Sequence, residues 1–378
     1  MTGLRELVVC SLEPWDDVWR RNQFFVDALL SGNGALRVLF LEPPADPLHD
    51  LLSRRQPALP RLRRLRPDRR LLAFRPLKPL PRRLGGGSDR FILRQATWAV
   101  RAVGFARPTL WVNDLTYAPL LASTGWPSVY DVTDDWLLAP LPAREIARLT
   151  GLERIALAHA DEVVVCSPAL AASRGSTRTV TLVPNGVDAD HFRRPRQRPA
   201  DLPAGETAVY VGTLHESRLD VDLVETLARA LPSVSVVLVG PDSLEPDSRR
   251  RLDAHENVRL LGARPYEDVP AYLQHADVVV VPHRVTPFTE SLDPIKAYEC
   301  AVVDTPTVAT PVAGFREHLG AVTVASAEGF ADAVRAALSR PPTPAAVTVP
   351  TWDERAAEFA AILARADGRT VGTAPTAV

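Results

Sequence analysis

Val278-Val-Val-Val-Pro-His283, followed by Glu290-Ser-Leu-Asp-Pro-Ile-Lys-Ala-Tyr-Glu299, reads as a strand and then a helix start. Four consecutive valines form the short apolar run of a strand buried on both faces, the signature of a parallel sheet. Asp293 reads as an N-cap and Pro294 as the first helical residue. Lys296 then falls in the first helical turn, where the helix dipole disfavours a cation by roughly 0.3–1 kcal/mol. The chain carries 44 basic residues and only two are lysines, Lys78 and Lys296, so a lysine here stands out. An anion at that helix end would reverse the sign, held by the ammonium and the backbone N–H groups together. Glu299, three residues on, shares that part of the helix. Its carboxylate can accept from two adjacent hydroxyls, as a ribose offers. Phosphate plus ribose describes a nucleotide; a surface Lys–Glu pair behind an ordinary cap is the other reading.

Working outward, short apolar runs alternate with helical patterns along the chain, which predicts an α/β protein with parallel sheets. The expected strands are Glu6–Cys10, Arg37–Leu41, Leu110–Val112, Ser128–Asp131 and Glu162–Cys166. A second set comprises Ala208–Val211, Ser235–Val239, Val258–Leu261, Val278–Val281 and Thr307–Ala309. Helical patterns lie at Arg20–Leu30, Ala143–His159, Val221–Leu231 and Glu267–His275. The pattern restarts after the basic, proline-containing stretch His191–Pro203. With 378 residues, about two domains are expected. The reading is two doubly wound Rossmann-like domains facing across a cleft: residues 1–192, joined by a returning helix at 351–366, and residues 193–350. Residues 367–378 read as a disordered tail.

Composition is that of an ordinary globular protein, with 46% hydrophobic and 24% charged residues. The net charge of −1 gives no global field for nucleic acid. Cys10, Cys166 and Cys300 lie far apart without CxxC or nearby histidine clusters, which points to reduced thiols, a cytoplasmic protein and no metal site. No run approaches 18 apolar residues, and the N-terminus lacks a leader pattern. The stretch Ser53–Ser88 is crowded with arginines, has Asp68 as its sole acid and ends in a glycine triplet. It reads as a solvated excursion around a strand near Leu71–Phe74, or as a basic face that meets an anionic acceptor or the inner membrane surface peripherally.

Several turns in the second half suit an anionic ligand. Tyr210-Val-Gly-Thr-Leu-His-Glu-Ser-Arg218 follows a strand. There Gly212 permits close backbone approach and Arg218 can reach a diphosphate. His283 and Arg284 end the valine strand, with an isolated exposed histidine as the alternative reading. Asp16, Asp17, Asn113, Asp114, Asp134 and Asp135 sit at expected strand ends in the first half. Each reads either as an acceptor-side group or as a cap or turn residue. Asp134-Asp135 also has the form of a metal-binding acidic pair.

The order of motifs resembles the GT-B glycosyltransferases. Val-Leu-Val-Gly240, Val-Arg-Leu-Leu-Gly262, the valine strand ending at Pro282, Asp-Pro-Ile-Lys-Ala-Tyr-Glu299 and Thr-Pro-Thr-Val-Ala-Thr310 are similar to their donor domain. They are most similar to the retaining, family-4-like branch with a Pro-x-Lys-x-Tyr-Glu signature. Tyr130-Asp-Val-Thr-Asp-Asp-Trp136, Ala160–Ser167, Val183–Asp188, Trp15-Asp16, Arg20–Phe24 and the Trp352–Ala366 helix resemble the remainder of that fold.

The resemblance implies a cytoplasmic enzyme that moves a sugar from a nucleotide-diphospho-sugar to an acceptor hydroxyl, with retention and without a metal or resident cofactor. The acceptor would be a cell-surface glycan, a lipid-linked intermediate or a natural product. The resemblance assigns Glu299 to the ribose and Arg218 and Lys296 to the leaving diphosphate. Gly212, Thr213, His283, Asp293, Pro294 and Ile295 fall at the donor, with Asp16 and Asp114 on the acceptor side. Two departures stand out. Glu290 is one residue too far from Glu299, and Asp293 too close, to be the first acid of the family's paired-glutamate pattern. Glu13–Asp17 replaces the glycine-rich turn expected after the first strand. A non-catalytic GT-B partner protein and a sugar-nucleotide epimerase are the alternatives. The lack of GxGxxG after either first strand argues against a nicotinamide oxidoreductase.

Overall fold

The computed structural model describes residues 4–52, 59–82, 86–316, 322–339 and 348–368. They group into two compact units. The first draws on Met1–Leu137, Leu141–Val183 and Asp353–Val378, and the second on Leu138–Pro140 and Pro184–Trp352.

In chain order the first half contains β1 (Glu6–Cys10), α1 (Arg21–Gly32), β2 (Arg37–Leu41), α2 (Pro47–Leu52), β3 (Arg61–Arg64), β4 (Leu71–Arg75) and α3 (Gly87–Ala102). It continues with β5 (Thr109–Val112), α4 (Ala118–Ser123), β6 (Ser128–Val132), α5 (Ala143–His159), β7 (Glu162–Val165), α6 (Pro168–Gly175) and β8 (Thr181–Leu182). The second half contains α7 (Ala189–Arg193), β9 (Thr207–Val211), α8 (Val221–Ala230), β10 (Ser235–Val239), α9 (Pro246–Asp253), β11 (Val258–Gly262) and α10 (Val269–Gln274). There follow β12 (Val278–Val281), α11 (Pro287–Glu290), α12 (Ile295–Val302), β13 (Thr307–Ala309), β14 (Val322–Val324), α13 (Phe330–Leu338) and α14 (Trp352–Ala366).

The first unit's sheet runs β3-β4-β2-β1-β5-β6-β7-β8. Every pair in it is parallel except β3–β4. Residues 7–10 of β1 and 110–112 of β5 are buried on both faces, which is why they appear in the sequence as continuous apolar runs. β3, Arg-Leu-Arg-Arg, has no such run. It forms because antiparallel pairing with β4 satisfies its backbone, while Arg61 and Arg64 reach water and Arg63 turns in to pair with buried Glu42. Within the excursion expected over Ser53–Ser88, β4 falls at the strand expected near Leu71–Phe74, and β3 is a second strand that was not expected. Residues 53–58 and 83–85 of that stretch, and the tail beyond 368, lie outside the described residues.

α14 closes this unit. The Phe359 ring packs 5.0 Å from Phe25 of α1 and 4.6 Å from Trp111 of β5, all three fully buried. The returning helix is therefore core rather than appendage.

The second unit's sheet runs β11-β10-β9-β12-β13-β14, all parallel. Numbered within the unit, that is the doubly wound order 3-2-1-4-5-6, with its reversal between β9 and β12. Ligands of such sheets bind beyond the carboxyl ends of the strands at this reversal. The stretch His191–Pro203, after which the pattern was read as restarting, starts inside this unit. His191 stacks on Tyr266 at 4.5 Å, and Gln274 donates to the Phe192 carbonyl at 2.7 Å. The helix expected over Glu267–His275 is split: a 3-10 turn covers Tyr266–Asp268, and α10 begins at Val269 with Pro270 in its first turn.

Candidate functional site

Both strands at the second unit's reversal end in the residues singled out above. β9 ends at Val211 and runs into Gly212; β12 ends at Val281 and runs into Pro282 and His283. The two strand ends are tied together: the Asp220 N–H donates to the Pro282 carbonyl at 2.8 Å, and the Arg284 N–H to the Arg218 carbonyl at 2.7 Å. The loop that carries Arg218 is thereby fixed beside His283.

Gly212 and Gly240 make the close approach possible. A β-carbon at Gly212 would fall on Cε and Nζ of Lys296. A β-carbon at Gly240 would overlap the Gly212 carbonyl. Both glycines hold a positive φ, 153° and 151°, which side chains of L-residues disfavour. The ammonium of Lys296 also stands 5.6 Å from the Tyr210 ring centroid, within cation–π reach. Arg218 lies 5.8 Å from the Phe288 ring.

His283 is a correction to the sequence reading, which allowed an exposed histidine. It is buried, its Nε2 sits 3.2 Å from the Tyr210 hydroxyl, and its N–H donates to Thr310 Oγ1 at 3.0 Å. Burial, then Lys296, then Arg218 hold its pKa well below the ordinary histidine value. The imidazole is therefore neutral at pH 7, and two cations lie close enough to act on it. Glu299 is half-buried. Burial raises its carboxyl to about 7, with Lys296 pulling the other way.

The helix start is a second correction. α12 begins at Ile295 with Pro294 at the cap position, and no side chain caps it. The Asp293 carboxylate is used elsewhere: it accepts from the Asn185 N–H at 2.5 Å and from the Tyr298 hydroxyl at 2.8 Å. Asn185 Nδ2 in turn donates to the Asp293 carbonyl. Asp293 thus ties the start of α12 to the segment after Pro184. Glu290 is paired with Arg316, at 2.6 Å. Thr213 lies in the Gly212 loop, its carbonyl 3.5 Å from the Tyr210 hydroxyl. Tyr210, Phe288, Asn185 and Thr310 were not marked as site residues from sequence, because buried aromatic and polar residues there read as core or turn.

In the first unit, Asn113 and Asp114 follow β5, whose neighbour β1 marks the corresponding reversal. Asn113 is buried; it donates to the Asp131 carbonyl and accepts from Asn22. Asp114 caps the turn at Leu115–Tyr117 by accepting from the Thr116 N–H at 2.8 Å, and burial raises its pKa. Asp16 accepts from the Val18 N–H and pairs with Arg20 at 3.1 Å, while Asp17 is exposed. Asp135 is locked to Arg174, which also holds Glu153 at 2.9 Å, so it is a structural anion. Among the described residues no group of three or more His, Cys, Asp or Glu has the arrangement to hold a metal ion. Among those residues, too, no helix is long and apolar enough to cross a membrane.

Residues 205–340 match the family model described as "Glycosyl transferases group 1". The chain is 27% identical over 213 residues to TuaH of Bacillus subtilis strain 168, provisionally named a teichuronic acid biosynthesis glycosyltransferase. That match covers 51% of this chain and spans about half, 53%, of the relative. Among solved structures, HepE of Anabaena in complex with UDP-glucose superposes with a TM-score of 0.62 at 16% identity, over 96% of both chains. The UDP-forming α,α-trehalose-phosphate synthase of Burkholderia vietnamiensis gives 0.61 at 14% identity, over 97% of this chain and 95% of its own. At these identities the likeness is one of fold.

Proposed function

We propose that this chain, with its two Rossmann-like units in the GT-B architecture, is a glycosyltransferase that draws on a nucleotide-diphospho-sugar. The observation that carries the reading is the meeting of Lys296, Arg218 and neutral His283 at the β9/β12 reversal, with Glu299 one helical turn beyond Lys296. In this reading Glu299 takes the ribose hydroxyls. Lys296, Arg218 and the positive end of α12 face the diphosphate, and Gly212 and Thr213 give it room.

Departure of the nucleoside diphosphate is the step that needs help, because negative charge grows on its oxygens as the sugar–oxygen bond breaks. Cations fixed before the reaction stabilise that charge without reorganisation. Neutral His283 adds a dipole there without competing for the proton. The acceptor oxygen gains the sugar and releases its proton to a base, for which Asp16 and Asp114 are the candidates. Retention of configuration and independence from metal follow the family-4-like motif. The name of TuaH supports a cell-surface polymer as acceptor, and the ligand of HepE puts UDP first among the nucleotides.

The test is thermal unfolding of wild type and Glu299→Ala with UDP, GDP, dTDP and ADP. A ligand at about 100 times its Kd adds roughly 2.7 kcal/mol to the stability of the state that binds it. One nucleotide should raise the wild-type midpoint and leave that of the variant nearly unchanged. If none shifts wild type at millimolar concentration, the donor site is not functional and the non-catalytic partner reading replaces this one.

A further inference from the structure

Seven of the ten exposed large hydrophobic residues among those described lie between residues 48 and 98. Two of them share a face of α3. Its inner side, Ser88, Ile92, Ala96, Ala99 and Val100, is buried in the first unit. Its outer side presents Phe91, Arg94, Trp98 and Arg101 at spacings of three, four and three, one stripe of a helix. Trp98 is 59% exposed and Phe91 41%.

The stripe continues onto the sheet edge. The Trp98 ring lies 6.0 Å from Phe74 of β4. Leu62 of β3 stands opposite Phe74 in the antiparallel pair, so it points to the same side, and it is 47% exposed. Leu62 and Arg64 line a groove of about 590 Å³ together with Ala102 at the end of α3. Arg64, Arg90, Arg94 and Arg101 form no ion pair with the described residues. The nearby acids are already neutralised: Asp68 by Arg70, and Asp89 by Arg82 and Arg148.

We propose that α3 and edge strand β3 together form a face that lies on an anionic phospholipid surface. Trp98, Phe91 and Leu62 would enter the headgroup boundary, and Arg64, Arg94 and Arg101 would bind lipid phosphates. Exposed aromatics between guanidinium groups suit that boundary, where rings bury their apolar body and arginines take phosphate in bidentate fashion. A second copy is a poorer occupant, since a two-fold contact through this stripe sets arginines against arginines. This face owes nothing to the nucleotide reading, because it involves no donor-site residue.

The experiment is co-sedimentation of the full chain with vesicles of phosphatidylcholine alone or mixed with phosphatidylglycerol, at low and high salt. Retention should require phosphatidylglycerol and fall steeply with salt. Trp98→Ala should weaken it, and Arg94→Glu with Arg101→Glu should weaken it by about tenfold or more. All three positions are exposed, so thermal midpoints should stay near wild type. If Trp98→Ala nonetheless unfolds, the double arginine variant decides alone. Failure of wild type to bind anionic vesicles at low salt overturns the proposal. So does retention that the variants leave unchanged, or a dimer in solution that Trp98→Ala dissociates.

Discussion

A single carboxyl records the cost of the proposed donor site. Glu299 is raised to about 7 in the folded chain, against 4.5 ordinarily. A carboxyl with a raised folded pKa binds its proton more tightly in the native state. Its penalty is therefore absent below the unfolded value, grows as pH rises from there, and is complete above about 7. Glu299→Gln should leave stability at pH 4 nearly unchanged and raise it at pH 8 by up to about 3 kcal/mol, measured by urea titration at the two pH values. The same variant should lose nucleotide stabilisation. The two glycines should separate fold from site in a similar way. Gly240→Ala sets a methyl against backbone and should cost about 1–3 kcal/mol or more in stability. Gly212→Ala meets mainly a movable lysine, so it should cost less stability but displace Lys296 and abolish the nucleotide shift. Lys296 drew notice in the sequence because lysine is scarce in this chain. The burial of His283 was illegible there, since it depends on Tyr210 and Thr310, which reach it from other strands.

At the scale of elements, the side chains that hold loops to helices carry the larger predicted losses. Arg174 of α6 bridges Asp135, in the connection after β6, and Glu153 of α5, all three buried. Removing the cation strands two carboxylates, so Arg174→Ala should destabilise the chain by about 3–5 kcal/mol in denaturant titration. Lysine should not rescue it, because one ammonium cannot reproduce a fork serving both acids. Asp293→Ala removes the acceptor for Asn185 and Tyr298 and should lower stability by about 1–3 kcal/mol, with the nucleotide shift weakened as the start of α12 loosens. The elements most legible in the sequence were the central parallel strands, where burial on both faces leaves an unbroken apolar run; β1, β2, β10, β12 and β13 have the bounds expected. β3 was illegible because what holds it, the pairing with β4 and the bond of Arg63 to buried Glu42, joins residues far apart in sequence and leaves no apolar run. The start of α12 was misread because Asp293, placed as a cap by its position before Pro294, is bonded instead to a residue more than a hundred positions earlier.

Over the whole molecule, the first unit is discontinuous. Phe359 of α14 fills the space between Phe25 and Trp111, and Phe359→Ala should cost about 3–5 kcal/mol and lower the unfolding midpoint. The doubly wound order of both units was expected from the alternation of strands and helices. The antiparallel edge was not, because no local pattern announces it. The late position of Phe359 bears on how the chain is made. At about 5–20 residues per second, roughly 170 residues of the second unit must be translated between Val183 and α14, a wait of about 10–30 s. During that interval the newborn N-terminal sheet leaves the ribosome with Phe25 and Trp111 uncovered, and the second unit has all its strands before α14 is made. Maturation then runs against the direction of synthesis, and the nascent first half is the stage at which a chaperone would be needed.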